Sequence, residues 1–410
     1  MLKRIVLVLG LVLAAAQARA EPGEASPNTI TGLVDLRVAA ADGEKSWLDH
    51  GFGKTRFGGG GAYARIGEAA LAWRSQLSWA WSAQAEVEIQ PDHDRGVRLG
   101  EAYVTYRPMP IAETRFNARF GLFYPPISEE HGGAFWTPID TITPSAVNSW
   151  VGEEVKVVGA EASARRQIAG QDFAVTGALF EFNDTAGTLL TARGWSLNDV
   201  KTDAYGHYAL PPLGGILQHV QAPITTPVAE LDRRIGAYGR IDWRATGPLS
   251  LNLFYYDNQG DRISRQQHQW AWRTRFFNLG ARYDLGDSTS VRAQVMTGST
   301  QMGFGDPDLW VKTEFSAAYL MVTRRLGGED ALSGRLDLFQ TRNRADPTYG
   351  LTQERGWALT GDYKRTLSPH ATLLFEALYV SSDRPARQVI LGEPERQDQT
   401  VVQSALRLAF

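Results

Sequence analysis

Charged side chains recur at every second position in several stretches of this sequence. Glu86 and Glu88 follow this spacing, and so do Arg115, Asn117 and Arg119. Successive side chains of a β-strand point to opposite faces, so each set shares one face of its strand. Burying such groups in a dry core is costly, and the spacing therefore predicts a charged surface that faces water.

The same parity extends this surface to neighbouring strands and gives a set of candidate pore-lining residues. Its members are Arg107, Arg115, Arg119, Arg165, Glu86, Glu88 and Glu101. Rings of charged side chains can select ions in a water-filled channel, which is the chemistry that we expect of this set. The alternative is a structural ladder of ion pairs within the wall.

A long segment, residues 124–153, supplies further charged candidates. It contains Glu129, Glu130 and Asp140 together with several Trp, Phe, Ile and Pro residues. Loops of this length inside a compact fold are usually functional or disordered, and the aromatic content favours packing. We expect the segment to fold into the lumen as a constriction loop, with its carboxylates facing the basic wall formed by Arg107, Arg115 and Arg119.

The elements that must position these groups are β-strands. Between positions 79 and 90, apolar side chains alternate with polar ones, and the last segment, 399–410, behaves alike. Period-two alternation identifies strands with one apolar and one polar face. We predict about sixteen strands of about 9–13 residues, the length that a tilted membrane strand requires. Residues after the N-terminal segment contain no apolar run of about 18, the length expected of a membrane helix.

Connection lengths alternate between the predicted strands. Tight turns such as Ala169-Gly170 and Gly286-Asp287 follow the even strands, whereas longer polar loops follow the odd ones. The longest connection is 183–232. Short periplasmic turns on one rim and long extracellular loops on the other are typical of outer-membrane barrels, and a soluble sandwich has no reason to separate them. We therefore predict an all-β fold, a transmembrane antiparallel β-barrel over residues 21–410.

The N-terminus predicts export to this location. Lys3 and Arg4 precede a short apolar stretch, and Ala18-Arg19-Ala20 offers a cleavage site, so residues 1–20 read as a secretory signal peptide. The chain has no Cys, which excludes a disulfide framework. Its formal net charge of -3 gives no indication of nucleic-acid binding. We expect it in the outer membrane of a Gram-negative bacterium, with lipid around the barrel.

This architecture resembles that of the sixteen-stranded bacterial porins, in which the loop after strand five constricts the pore. The stretch 120–126, with the sequence FGLFYPP, looks like the start of that loop in the phosphate-selective porin group. The resemblance at residue level covers about 115–165. It implies a homotrimer, and it implies that Phe410 is read by the barrel-assembly machinery. The nearly balanced charge of the predicted lumen supports a porin better than it supports phosphate selectivity.

We therefore expect a porin that gives passive, weakly selective diffusion of small hydrophilic solutes or ions, without a cofactor. Two other classes stay open. A barrel enzyme, a lipid or peptide hydrolase, would need His close to Ser or to acids, but all seven histidines fall in predicted loops or turns, so no catalytic residue is assigned. A structural or adhesive barrel would have an occluded lumen. Asp92-His93-Asp94 could hold a metal, but a polar hairpin loop explains it equally well, and no metal site is assigned.

Overall fold

The computed structural model describes residues 27–91, 96–304, 311–327, 329–345 and 351–410. The predicted signal peptide, residues 1–20, and the segment Asp92-His93-Asp94 lie outside these ranges.

Sixteen antiparallel strands form a closed barrel, which confirms the predicted fold class. Each strand pairs with its neighbours in the chain, and the last pairs with the first. The strands are β1 (Asn28–Ala41), β2 (Ala62–Gln76), β3 (Trp81–Ile89), β4 (Arg98–Tyr106), β5 (Arg115–Phe123), β6 (Val157–Ile168), β7 (Gln171–Glu181), β8 (Gly236–Arg244), β9 (Leu249–Asp257), β10 (Arg273–Leu285), β11 (Thr289–Met302), β12 (Val311–Gly327), β13 (Asp330–Asn343), β14 (Glu354–Ser368), β15 (Ala371–Asp383) and β16 (Arg396–Ala409).

Closure of the barrel joins β1 to β16. Leu33 pairs with Ala409, and the ladder continues from there to Ala41 opposite Val401. At the end of the chain, the backbone N–H of Gly32 donates to the carbonyl oxygen of Phe410 at 2.8 Å, and the N–H of Phe410 donates to the carbonyl oxygen of Gly32 at 3.1 Å. Closure leaves no open sheet edge. An open edge in lipid would leave a row of backbone N–H and C=O groups without hydrogen-bond partners.

The two rims differ in their connections, as the sequence predicts. Ala169 and Gly170 alone connect β6 to β7, with φ angles of 49° and 78°. Positive φ at both central residues defines the type I′ turn that matches strand twist in two-residue hairpins. The opposite rim carries the long connections, among them 42–61, 124–156 and 182–235. We call these ends the short-turn rim and the long-loop rim.

Short helices occur within the connections of the long-loop rim. They are α1 (Ala146–Glu154), α2 (Thr188–Arg193), α3 (Leu217–Val220) and α4 (Pro385–Leu391). Single 3₁₀ turns form at Trp47–Asp49 and Ala134–Trp136, and the two-residue strands Tyr208–Ala209 and Ile224–Thr225 pair with each other, as do Arg265–Gln266 and Gln269–Trp270. None of the helices in the described part of the chain has the length and apolar character needed to cross a bilayer.

The barrel has apolar side chains on its outer face and polar side chains on its inner face, the reverse of a soluble protein. On β1, Val38 is 58% exposed on the outer face, whereas the adjacent Arg37 is 2% exposed inside the barrel. Leu338 and Asp337 on β13 show the same relationship. An apolar exterior around a polar interior is the arrangement that lipid selects for a membrane barrel.

Candidate functional site in the barrel lumen

The inward face of the barrel changes character along its length. Toward the short-turn rim it carries charged side chains such as Arg282 and Lys364, as parity predicts. Toward the long-loop rim it carries buried aromatic and aliphatic side chains: Phe180, Tyr238, Phe254, Tyr256, Phe276, Phe315, Phe339, Leu378 and Val380. An apolar inner wall excludes water only where another apolar surface covers it, and two long loops provide that surface.

The first of these loops, residues 124–156, enters the lumen and carries α1 across it. The indole of Trp150 contacts two wall rings, with centroid distances of 5.1 Å to Phe315 and 5.4 Å to Phe276. The N-cap residue Ser145 accepts the backbone N–H of Asn148, and the N–H of Ala146 donates to the Asp337 carboxylate at 3.0 Å. These contacts fix α1 against β10, β12 and β13.

The three candidate carboxylates of this loop are ion-paired with the wall. Glu129 lies 3.2 Å from Arg240, Glu130 lies 3.1 Å from Arg335, and Asp140 lies 2.5 Å from Arg292 and 2.8 Å from Lys364. The expected contact of these carboxylates with Arg107, Arg115 and Arg119 is not formed. The loop leaves β5 and crosses the lumen, so its acids reach β8, β11, β13 and β14.

The second long loop, residues 182–235, also lies inside the barrel. Lys201 is 2.5 Å from Glu68 of β2 and 3.7 Å from Glu88 of β3. Asp199 bridges Arg37 of β1 and Arg56 at distances of 2.9 Å and 3.0 Å. The loop thus covers the inner wall formed by the first strands of the barrel.

Electrostatics favour the ionised form of both loop residues. Burial opposes the charge on Lys201, but Glu68 and Glu88 outweigh it and raise the Lys201 pKa. Burial likewise opposes the charge on Asp199, but Arg37 and Arg56 outweigh it and lower the Asp199 pKa. Lys201 and Asp199 are therefore both charged at neutral pH.

The two loops also bind each other. Arg193 at the end of α2 makes two hydrogen bonds of 2.7 Å to the carboxylate of Glu153 in α1, and both side chains are fully buried. The neighbouring Glu154 accepts the N–H groups of Leu189 and Leu190 at the start of α2. α1 and α2 thereby form one packed unit within the long-loop half of the barrel.

Two of the open cavities in the short-turn half are lined by many charged side chains. The larger, about 890 Å³, is lined by charged residues that include Asp140, Arg282, Asp284, Arg292 and Lys364. The other, about 650 Å³, brings together five of the predicted pore-lining residues: Glu101, Arg107, Arg115, Arg119 and Arg165. We call it the arginine vestibule.

The other two predicted pore-lining residues lie elsewhere. Glu86 and Glu88 are buried, at 2% and 3% exposed. Both face inward beneath the second long loop, where Glu88 contributes to the pairing of Lys201. The local sequence pattern could not predict this covering, because the loop that supplies it begins more than ninety positions further along the chain.

Between the cavities and the long-loop rim, the packing is tight. The space enclosed by Trp136, Asn148 and Lys201 together with wall residues such as Asp35 and Arg407 measures about 10 Å³. A single water molecule needs at least about this volume. In this conformation, the described residues therefore leave the short-turn half open and close the long-loop half.

A serine–histidine contact bears on the hydrolase alternative. The Ser128 hydroxyl lies 2.7 Å from Nδ1 of His131 at the edge of the arginine vestibule. The same hydroxyl oxygen accepts the N–H groups of Glu130 and His131, which is the geometry of a turn cap. Among the described hydrogen bonds, no carboxylate orients the His131 ring, which instead stacks on Trp136 with a centroid distance of 3.5 Å. The contact thus lacks the third group of a catalytic triad.

Comparison with known proteins gives a likeness of fold. No family model matches the chain, and no curated protein sequence does. Among solved structures, the anion-selective porin from Comamonas acidovorans has a TM-score of 0.54 at 15% identity, over 93% of this chain and 99% of that one. The outer-membrane channel DcaP of Acinetobacter baumannii has a TM-score of 0.58 at 11% identity, over 93% of this chain and 97% of that one.

A third similar structure is OmpT, an outer-membrane protein of Vibrio cholerae, in a trimer form. It has a TM-score of 0.51 at 9% identity, over 94% of this chain and 100% of that one. Structural matches at identities this low show the fold of the chain alone. They span nearly its whole length. With its closed ring of sixteen strands and its loop folded inward after the fifth, the chain has the fold of the bacterial outer-membrane porins.

Proposed function

We propose that this protein is an outer-membrane porin through which small hydrophilic solutes or ions diffuse passively and with weak selectivity. The observation that carries the proposal is the pair of charged cavities, about 890 Å³ and 650 Å³, inside a closed barrel. Charged groups on an inner wall that is open to water serve solute passage, whereas a barrel with only a structural role could fill the same space with apolar side chains.

Conduction requires the two inner loops to move away from the inner wall of the barrel. Trp150 and the packed unit of α1 and α2 fill the long-loop half, so solutes need a path that this conformation does not provide. Loops held inside a barrel by ion pairs can exchange between docked and displaced states, and the displaced state is the conducting one. Residues 124–153 then act as the constriction loop, and the cation–carboxylate contacts of both loops set the fraction of open channels.

The filled long-loop half also favours one other function, a barrel with a structural or adhesive role and no conducting state. The purified protein in planar lipid bilayers separates the two. A porin gives discrete, ion-permeable steps across the bilayer, and a purely structural barrel gives none over the full range of voltage. Absence of any conducting state in correctly folded protein would overturn the porin assignment.

We also propose that the protein is not an enzyme. The Ser128–His131 contact supplies the matched test, because it is the serine–histidine pair found in the described structure. Hydrolysis of ester or peptide substrates that is present in the wild type and lost in Ser128→Ala would contradict this. The expected result is equal background rates in both proteins.

Location and assembly complete the proposal. The apolar outer face contacts outer-membrane lipid, the signal peptide is cleaved after Ala20, and Phe410 is recognised during barrel assembly. We propose a homotrimer, with support from the trimer form of the similar Vibrio cholerae protein. Mass measurement of the purified protein in detergent tests the trimer, and N-terminal sequencing of the mature chain tests the cleavage site.

A further inference from the structure

We propose that the aromatic part of the inner wall is a binding site for small uncharged solutes with a flat aromatic ring, and that the indole of Trp150 occupies this site as an internal ligand. The site itself goes beyond the proposed function. Its effect on conduction rests on that function, because a solute reaches the wall only when the first long loop is displaced.

A row of aromatic side chains crosses the inner wall from β7 to β12, and we call it the aromatic lane. Neighbouring rings of the lane are in contact. The ring centroid of Tyr256 lies 5.0 Å from that of Phe180 and 4.9 Å from that of Phe276, with ring planes 21° and 17° apart. Aromatic pairs at such distances attract each other beyond the effect of burial. The lane is therefore one continuous aromatic surface, whose members are Phe180, Tyr238, Phe254, Tyr256, Phe276 and Phe315.

Glycines beside the lane leave room in front of it. Phe315 is the direct cross-strand partner of Gly298, and Phe180 is that of Gly236. A Cβ atom at Gly298 would lie 2.7 Å from the ring of Phe315, and one at Gly236 would lie 2.5 Å from the ring of Phe180. Both rings therefore lean along the wall over bare backbone, whereas strand side chains usually stand perpendicular to the sheet. The space that an upright ring would fill is left for another group.

The group in front of the lane is the indole of Trp150. Its ring plane meets that of Phe276 at 71° and that of Phe315 at 57°, close to the edge-to-face arrangement that aromatic pairs favour. The indole N–H donates to Glu154 of the same helix at 2.7 Å, so its hydrogen bond stays within α1. The lane thus contacts Trp150 through the ring alone, and a free ring of similar size can make the same contacts once α1 has moved away.

The chemistry of the lane selects aromatic solutes over sugars. A sugar also stacks on aromatic rings, but its hydroxyl groups need hydrogen-bond partners when they leave water. The two hydroxyl groups of the lane already donate to other residues, Tyr238 to Glu161 at 2.5 Å and Tyr256 to Asn183. A flat apolar ring needs no such partner, and small aromatic molecules bind in apolar cavities of proteins.

An aromatic solute and Trp150 compete for the lane. A ligand that binds only the state with displaced loops shifts the equilibrium toward that state, and the shift grows with the ratio of ligand concentration to its dissociation constant. The solute therefore raises the fraction of open channels.

Thermal unfolding of the Trp150→Ala variant in detergent tests the site without any conduction. The substitution removes the internal ligand and leaves a cavity beside Phe276 and Phe315. N-acetyltryptophanamide, an uncharged molecule with the same ring, should raise the unfolding midpoint of this variant by a few degrees. N-acetylalaninamide, which lacks the ring, should leave the midpoint unchanged.

Two double variants show whether the wall ring is recognised. Phe276→Leu added to Trp150→Ala should remove most of the rise, because leucine keeps an apolar side chain and loses the flat ring. Phe277→Leu added to Trp150→Ala is the matched control, since Phe277 is the next residue of β10 and is 51% exposed on the outer face. This second double variant should keep the full rise.

Single-channel recording of the wild type tests the competition with Trp150. N-acetyltryptophanamide at millimolar concentration should raise the open probability about threefold, and N-acetylalaninamide should not change it. An unchanged open probability in both cases would overturn the role of Trp150 as an internal ligand.

The unfolding experiment has its own contrary outcomes. Equal midpoint shifts with the two amides, or equal shifts in the two double variants, would overturn the site. Stabilisation of Trp150→Ala by glucose to the same extent would overturn the aromatic class. A ring-dependent midpoint shift in a protein that shows no conducting state would instead support the site and remove the porin function.

Discussion

Lys201 in the second long loop and Glu68 on β2 form an ion pair of 2.5 Å, with side chains that are 4% and 9% exposed. Glu88 of β3 lies 3.7 Å from the same ammonium group. One cation thus balances two carboxylates of the inner wall. Withdrawal of the loop exposes all three groups to water, whereas removal of the cation alone leaves two buried negative charges without a partner.

The variant Lys201→Gln should favour the displaced state of the second loop. Breaking a buried ion pair from one side costs about 3–5 kcal/mol, and the two stranded carboxylates recover hydration when the loop moves away. We expect a higher open probability in planar bilayers. Arg344→Gln is the control, since Arg344 forms an exposed pair with Glu314 on the long-loop rim. Equal open probability in Lys201→Gln and the wild type would show that this contact does not hold the loop.

Trp150→Ala tests the packing of α1 against the wall. The indole is fully buried among Phe276, Phe315 and Trp195, so its loss leaves a cavity and costs about 3–5 kcal/mol. We expect a lower thermal unfolding midpoint together with a leak conductance. Trp79→Ala should change neither by much, because Trp79 is 71% exposed. Similar midpoints for the two variants would contradict the described packing.

Arg119 and Arg115 should respond oppositely to neutral substitution. Arg119→Gln removes the partner of Glu161 and should lower the unfolding midpoint, by an effect of about 1–3 kcal/mol. Arg115→Gln relieves repulsion from Arg165 and should leave the midpoint unchanged or raise it. Thermal denaturation of both variants in one detergent and at low salt provides the comparison. A larger loss of stability in Arg115→Gln would show that Arg115 has a structural partner.

The positions of the strands could be predicted from the sequence, because the alternation of apolar and polar residues is a property of neighbouring positions. The predicted strand at 79–90 is observed as Trp81–Ile89, and the one at 399–410 as Arg396–Ala409. The pairing of the loop carboxylates with particular arginines of the wall could not be predicted from the sequence. Glu130 and Arg335 are 205 positions apart, and no local pattern connects them.

The apolar half of the lumen left a signal that parity could have revealed. Phe276 and Asn278 on β10 share a face, as do Phe254 and Asn252 on β9. An inward face that changes from polar to aromatic toward the long-loop rim predicts a covering element there. Parity could not identify that element, because two long loops that both contain aromatic residues compete for the space.

Acid should weaken the docking of the first long loop through His131. Burial, assisted by Lys201, Arg407 and Arg335, holds the His131 pKa well below its ordinary value of 6.5. The folded state therefore keeps the ring neutral while the unfolded chain takes up a proton as the pH falls through about 6.5, so stability decreases on the acid side. We expect the unfolding midpoint to fall between pH 7.5 and pH 5.

The variant His131→Asn should reduce this acid effect, because an amide does not titrate. His50→Asn is the control, since His50 is exposed and adopts a left-handed conformation that Asn tolerates. An unchanged pH dependence in His131→Asn would assign the acid effect to another group.

A reversible tether tests the central claim most directly. Thr55 and Leu197 form an isolated parallel bridge between the first connection of the long-loop rim and the second long loop, and the chain has no Cys of its own. Neighbouring residues of such a bridge have the Cα spacing of a disulfide, so Thr55→Cys with Leu197→Cys should crosslink on oxidation. The measurement is single-channel conductance of this variant before and after addition of a reductant. The oxidised form should be closed and the reduced form should conduct, whereas equal conductance in both forms, or none in either, would contradict a porin that opens by loop displacement.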